Sequence, residues 1–115
     1  MRSAKPARLL RVHFAESDRY RGRPLYEALV DRCRELGIAG ITVFRGLEGF
    51  GETADLRRSG MLRHDPPMVA AIVDSAENVA RAAAEIEGML EHGLMAVSEV
   101  EAIRLEQAPG TWGQE

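Results

Sequence analysis

The chain has a single cysteine, Cys33, in 115 residues. That excludes an intrachain disulfide and any Cys-x-x-Cys metal or redox centre. Cys33 itself falls in a helical apolar stripe, where a thiol serves as a small core side chain. Aromatic side chains are missing where an RNA-binding sheet would stack bases: residues 9–15 present Arg11 and His13, and residues 68–73 are aliphatic. No apolar run approaches the roughly 20 residues needed to cross a bilayer. Arg2, Lys5 and Arg8 have no apolar stretch behind them, so the start does not read as a signal peptide. His13, His64 and His92 are scattered and lack the short-spaced pair typical of a metal site. A net charge of −3 argues against a protein whose main work is gripping nucleic acid. These absences place the expected location in the cytoplasm, with neither metal nor nucleic acid as a partner.

What is present is one globular domain's worth of chain, with 45% hydrophobic and 29% charged residues. A chain of this size buries a modest core, so association would add to its stability. Residues 9–15 alternate, with Leu10, Val12 and Phe14 on one face, which predicts a strand. After a polar connection over 16–22, Pro24 opens a helix whose stripe is Leu25, Leu29, Cys33 and Leu36, widened by Tyr26 and Val30 and closed by Gly37. A second strand is expected over 38–47. A polar excursion, 48–67, follows and carries Arg57, Arg58 and Arg63.

The second half repeats the order. Residues 68–73 are uninterruptedly apolar, which predicts a strand buried on both faces. Asp74 or Ser75 caps a second helix; with Asp74 as cap, Glu77 completes a capping box. Val79, Ala82, Ala83, Ile86 and Leu90 form its stripe, His92-Gly93 ends it, and a last strand occupies 94–105. Strand–helix–strand twice over predicts an α+β, ferredoxin-like βαββαβ domain over 8–106, flanked by flexible segments at 1–7 and 107–115. Right-handed crossovers put both helices on one face of a four-stranded antiparallel sheet. The bare face, with a doubly apolar third strand, calls for a cover, and another copy of the chain is the simplest.

One run stands out: Gly37-Ile-Ala-Gly-Ile-Thr-Val-Phe-Arg-Gly-Leu-Glu-Gly-Phe-Gly51. Glycines at 46, 49 and 51 allow positive φ and backbone amides turned toward an anion such as phosphate. No helix pattern follows and no Gly-Lys-Ser/Thr closes the run, so it is not a Walker A loop. By spacing alone, a glycine-rich hairpin turn fits better than an anion cradle.

The run resembles the segment of the nitrogen-regulatory PII proteins that leaves their second strand and enters a long loop, where Gly-x-x-Gly-x-Thr-Val precedes Gly-Phe-Gly. With Leu9-Leu-Arg-Val-His-Phe-Ala-Glu-Ser-Asp18, Gly22-Arg-Pro-Leu-Tyr-Glu-Ala-Leu-Val30 and Ile72-Val-Asp74, it is similar to the PII-like family filed as domain of unknown function 190, over nearly all of residues 8–105. The resemblance implies a compact homotrimer with adenine nucleotide in clefts between subunits. Carried over residue by residue, Thr42 matches an adenosine contact, and Gly49, Phe50 and Gly51 match the phosphate-facing entry to the long loop. Arg104 matches the first arginine of the Ile-Arg-Ile-Arg that ends the last PII strand. Glu106 stands in place of the second arginine, and His92-Gly93-Leu94 replaces the Gly-Asp-Gly turn that closes over the phosphates. Losing a cation and a loop of donors favours AMP or ADP over ATP, or a chemically different anion.

The resemblance implies a non-enzymatic signalling protein without a cofactor, whose 48–67 loop is read by a partner such as a membrane transporter. Two alternatives stand beside it: a structural trimer similar to the CutA proteins, and a small acyl-phosphate hydrolase. The hydrolase would need an arginine near a phosphate cradle and an asparagine to hold water, and Arg19 to Arg23 and the sole asparagine, Asn78, show no sign of meeting. Glu16, Ser17 and Asp18 read as a turn, since no partner base is identifiable.

Overall fold

The alternation of Leu10, Val12 and Phe14 is the centre of a longer strand in the computed structural model, which describes residues 2–47 and 65–106. The elements in chain order are β1 (Arg2–Ala15), β2 (Arg19–Tyr20), β3 (Arg23–Pro24), α1 (Leu25–Glu35), β4 (Thr42–Arg45), β5 (Pro67–Asp74), α2 (Ala76–Glu87) and β6 (Leu94–Leu105). Among the described residues, four strands form one antiparallel sheet in the order β4-β5-β1-β6. This is the ferredoxin-like plan expected from the sequence.

Leu10, Val12 and Phe14 of β1 share a face with Met68, Ala70 and Ile72 of β5, and all six are buried against the helices. Helix α1 meets them with Leu25, Leu29 and Cys33, and α2 with Val79, Ala82 and Ile86. Burying a Leu, Ile or Val side chain this fully contributes about 2 kcal/mol. Burial also pushes the Cys33 thiol up from its ordinary pKa, as suits an inert core residue. Gly37, at φ +77°, lets α1 end in a Schellman turn. The Ile38 amide donates to the Cys33 carbonyl and the Gly37 amide to the Arg34 carbonyl, at 3.0 and 3.1 Å, and Ile38 folds into the core.

Three elements differ in their bounds from the sequence reading. β1 begins at Arg2, so residues 2–7, set outside the domain by their composition, pair with β6 from Arg2↔Leu105 onward. β4 runs only from Thr42 to Arg45, and its late start follows from amides taken elsewhere: Ile38 by α1, and Ala39 by Asp74 Oδ2 at 2.9 Å. Helix α2 stops at Glu87, where the Gly88 and Met89 amides tighten onto Glu85 and Ile86 and turn Met89 into the core. Its N-cap is Ser75, one of the two caps the sequence offers; its Oγ accepts from the Asn78 amide, so the capping box that Asp74 as cap would have given Glu77 does not form. The polar connection also holds a hairpin, β2–β3, whose turn residues Arg21 and Gly22 have φ 51° and 83°. Positive φ at both turn positions is what a two-residue hairpin with right-handed twist requires.

Among the described residues, no element covers the sheet's second face in the subunit. Cross-strand rows on it run Phe44–Val69–His13–Leu94, Thr42–Ala71–Arg11–Ala96 and Val73–Leu9–Ser98. Phe44, Val73 and Leu94 are 54%, 45% and 63% exposed. Among the described residues, no helix is long and apolar enough to cross a membrane.

Candidate functional site

Two places on the subunit attract attention, and they lie at opposite ends of the sheet. At the first, the chain leaves β4 and returns to β5 through a closed neck. The Gly46 amide donates to the Pro67 carbonyl at 2.7 Å and the Glu16 amide to the Pro66 carbonyl at 3.0 Å. Ser17 donates twice to Asp65, from its amide to Oδ1 at 3.0 Å and from Oγ to Oδ2 at 2.6 Å. Arg45 pairs with Glu16. The turn behind these contacts is stiffened by buried Asp18, whose Oδ2 accepts from the Ala15 amide at 2.9 Å. Glu16, Ser17 and Asp18 thus serve as a turn and a clasp. Gly46 is absent from the positive-φ positions; it is needed because a Cβ there would lie 2.8 Å from Pro67 Cγ.

At the second place β5 stops at Asp74, opposite Arg8, and β1 and β6 run on as a two-stranded ribbon. The step leaves a groove of about 620 Å³ floored by Ala7, Val73 and Ala102. Lys5 and Arg104 rise from the ribbon side, and Asp74, Ser75 and Ala39 close the other. Partial burial pushes the Asp74 carboxyl up, but the amides of Ala39 and Ser75, the Asn78 side chain and the Lys5 charge outweigh it, and its pKa lies below the ordinary carboxylate value.

Of the five residues singled out as nucleotide contacts, Thr42 and Arg104 are described, both exposed. Gly49, Phe50 and Gly51 lie outside the described residues, as do most of the 48–67 excursion with Arg57, Arg58 and Arg63 and the 107–115 tail. Thr42 sits on one edge strand and Arg104 on the other, with β5 and β1 between. The Thr42 row meets β6 at Ala96, eight residues from Arg104. At about 4.8 Å between strands and 3.3 Å per residue, the two side chains stand on the order of 30 Å apart. One subunit cannot bring both to the same nucleotide. Of the groove residues, Lys5 lies in the 1–7 segment that the sequence reading sets outside the domain, and Asp74 enters that reading as a cap and within the Ile72-Val-Asp74 run. Among the described residues, no group of acidic, histidine and cysteine side chains is arranged to hold a metal.

A βαββαβ subunit with a bare apolar sheet face and a long excursion between its second and third main strands has the PII-like fold. Over residues 7–102 the chain matches the family DUF190, described as an uncharacterized ACR, and it belongs to that family. It is 37% identical over 100 residues to a UPF0166 protein of Aquifex aeolicus, covering 85% of this chain and 94% of that one. Among solved structures it is similar to the apo form of CPII, a nitrogen regulatory PII-like protein from Thiomonas intermedia. The TM-score is 0.64 at 15% identity, over 91% of this chain and all (100%) of CPII. CPII has also been solved bound to ADP, AMP and bicarbonate, at TM-score 0.63 and 15% identity, over 90% of this chain and 100% of that one. A putative PII-like signaling protein from Thermus thermophilus matches at TM-score 0.59 and 18% identity, over 86% of this chain and 90% of its own.

Proposed function

We propose that the chain is a non-enzymatic, PII-like regulatory protein that assembles as a homotrimer and binds an adenine nucleotide between subunits. The observation that carries this reading is the separation of Thr42 from Arg104. Two residues that match nucleotide contacts lie too far apart in one subunit, so a site containing both draws on two copies. The uncovered rows around Phe44, Val73 and Leu94 supply a surface on which copies would meet. The ADP and AMP held by CPII, a protein of the same fold, support the ligand class. With Glu106 where a second arginine would stand, AMP or ADP is favoured over ATP. The bicarbonate of CPII leaves room for a second, smaller anion. The 48–67 segment would carry the signal, with a membrane transporter as candidate partner.

Light scattering at micromolar concentration, followed by isothermal titration with AMP, ADP and ATP, tests the reading. The expected result is a trimer mass and heat with at least one of the nucleotides. A monomer mass together with no heat from any of them refutes it. Gly51→Val should abolish binding and leave the trimer intact. Arg104→Ala should weaken ADP far more than adenosine, since a charge-assisted contact to phosphate is what it removes. Nucleotide should also slow proteolysis after Arg57, Arg58 or Arg63; cleavage at one rate with and without every nucleotide argues against signalling through this segment.

A further inference from the structure

We propose that Lys5 is the second cation of the phosphate subsite, joining Arg104 across the β1–β6 ribbon to grip the phosphoryl groups of a bound nucleotide. The proposal rests on the nucleotide reading above and deepens it by supplying the cation that position 106 lacks. Ser3 pairs with Arg104 and Lys5 with Ala102, so Lys5 and Arg104 are diagonal neighbours on one face of the ribbon. Diagonal Cβ atoms across an antiparallel pair are about 7 Å apart, within which two long cationic side chains can converge on one anion. Both line the groove at the end of β5, and both are exposed.

Among the described residues neither is held by an ion pair or a side-chain hydrogen bond, although the surface has six other such ion pairs. Two like charges side by side repel unless an anion comes between them. The groove's own carboxylate, Asp74, is already committed: Oδ2 accepts from the Ala39 amide, and Oδ1 from the Ser75 amide and Asn78 Nδ2, at 2.7 to 3.1 Å. It attracts Lys5 without binding it. The hydroxyls of Ser3 and Ser75 add neutral donors at the rim, and the floor of Ala7, Val73 and Ala102 offers an apolar surface to the rest of the ligand. A last strand with one arginine thus takes its second cation from β1, its hydrogen-bonded neighbour in the sheet.

The test is isothermal titration of the full chain with ADP, comparing wild type, Lys5→Gln and Lys5→Arg, with the ligand-free Tm of each. Lys5→Gln should weaken ADP about tenfold, the size of one charge-assisted contact, with an unchanged Tm, and Lys5→Arg should restore most of the affinity. If wild type binds ADP and Lys5→Gln binds it equally, the role of Lys5 falls and the nucleotide reading stands. If wild type binds none of AMP, ADP and ATP, both fall. If Lys5→Gln loses affinity and Tm together, Lys5 acts through structure and the proposal is overturned.

Discussion

Asp74 ties three parts of the subunit together, and removing its carboxylate gives a measurable loss worked from its contacts. Its two oxygens accept from the Ala39 amide at 2.9 Å, the Ser75 amide at 2.7 Å and Asn78 Nδ2 at 3.1 Å. The first fixes the chain between α1 and β4, and the other two organise the start of α2. At about 1 kcal/mol net per hydrogen bond, Asp74→Ala should cost about 2–3 kcal/mol. That is a large share of a domain stability of roughly 5–15 kcal/mol, and it lowers Tm by about 10 °C or more. Urea unfolding at fixed protein concentration should show a reduced midpoint with an unchanged slope. The pH dependence has a definite sign. The folded carboxyl has a lowered pKa, so as pH falls the unfolded chain takes up its proton first. The advantage of wild type over Asp74→Ala is therefore full above about pH 4, the ordinary carboxylate value, and narrows as pH falls through the folded pKa. A loss below about 0.5 kcal/mol at neutral pH, against the 1 kcal/mol expected per bond, refutes the reasoning. So does a gap that stays constant down to about pH 2, well below the ordinary carboxylate value.

Ile72→Asp and Val73→Asp, neighbours on β5, should separate core from interface. Ile72 is wholly buried under the helices, so an unpaired carboxylate there costs several kcal/mol and should abolish the circular dichroism of the folded subunit. Val73 points to the uncovered face, so its replacement should keep that signal and reduce the mass in light scattering from trimer to monomer; a wild-type mass would refute the covered-face argument. Gly46→Ala should cost about 1–2 kcal/mol in chemical denaturation, because the new Cβ meets Pro67 Cγ at 2.8 Å. Arg32→Ala breaks a 2.5 Å pair with Glu85, but both side chains are a third or more exposed, and the loss should stay under about 1 kcal/mol.

The order of strands and helices was legible because each buried stripe has its own period: two along Leu10, Val12 and Phe14, and close to 3.6 along Leu25, Leu29 and Cys33. The apolar run of β5 was legible as a strand, but not which of its faces meets the helices; the register makes Met68, Ala70 and Ile72 the inner set. What escaped was set by partners distant in sequence. Residues 2–6 have no apolar alternation because the ribbon they form with β6 is exposed, so pairing left no trace in hydropathy. The start of β4 was misplaced because Ala39 spends its amide on Asp74, 35 positions further along the chain. Of the candidate site, Arg104 was found through its resemblance to a family pattern. Its neighbour Lys5 had no pattern to belong to, since only strand register brings the two together.

The clasp of Glu16, Ser17 and Asp65 around Gly46 and Pro67 separates the length of the excursion from the integrity of the fold. Both of its feet are fastened to the same turn, through Arg45 on Glu16 on one side and through Pro66 and Asp65 on Glu16 and Ser17 on the other. Replacing residues 48–64, 17 positions, by a linker of about five residues would change that closure term by about 1 kcal/mol, in the favourable direction. A neck closed at its feet in this way makes the fold's stability only weakly dependent on the number of residues between them.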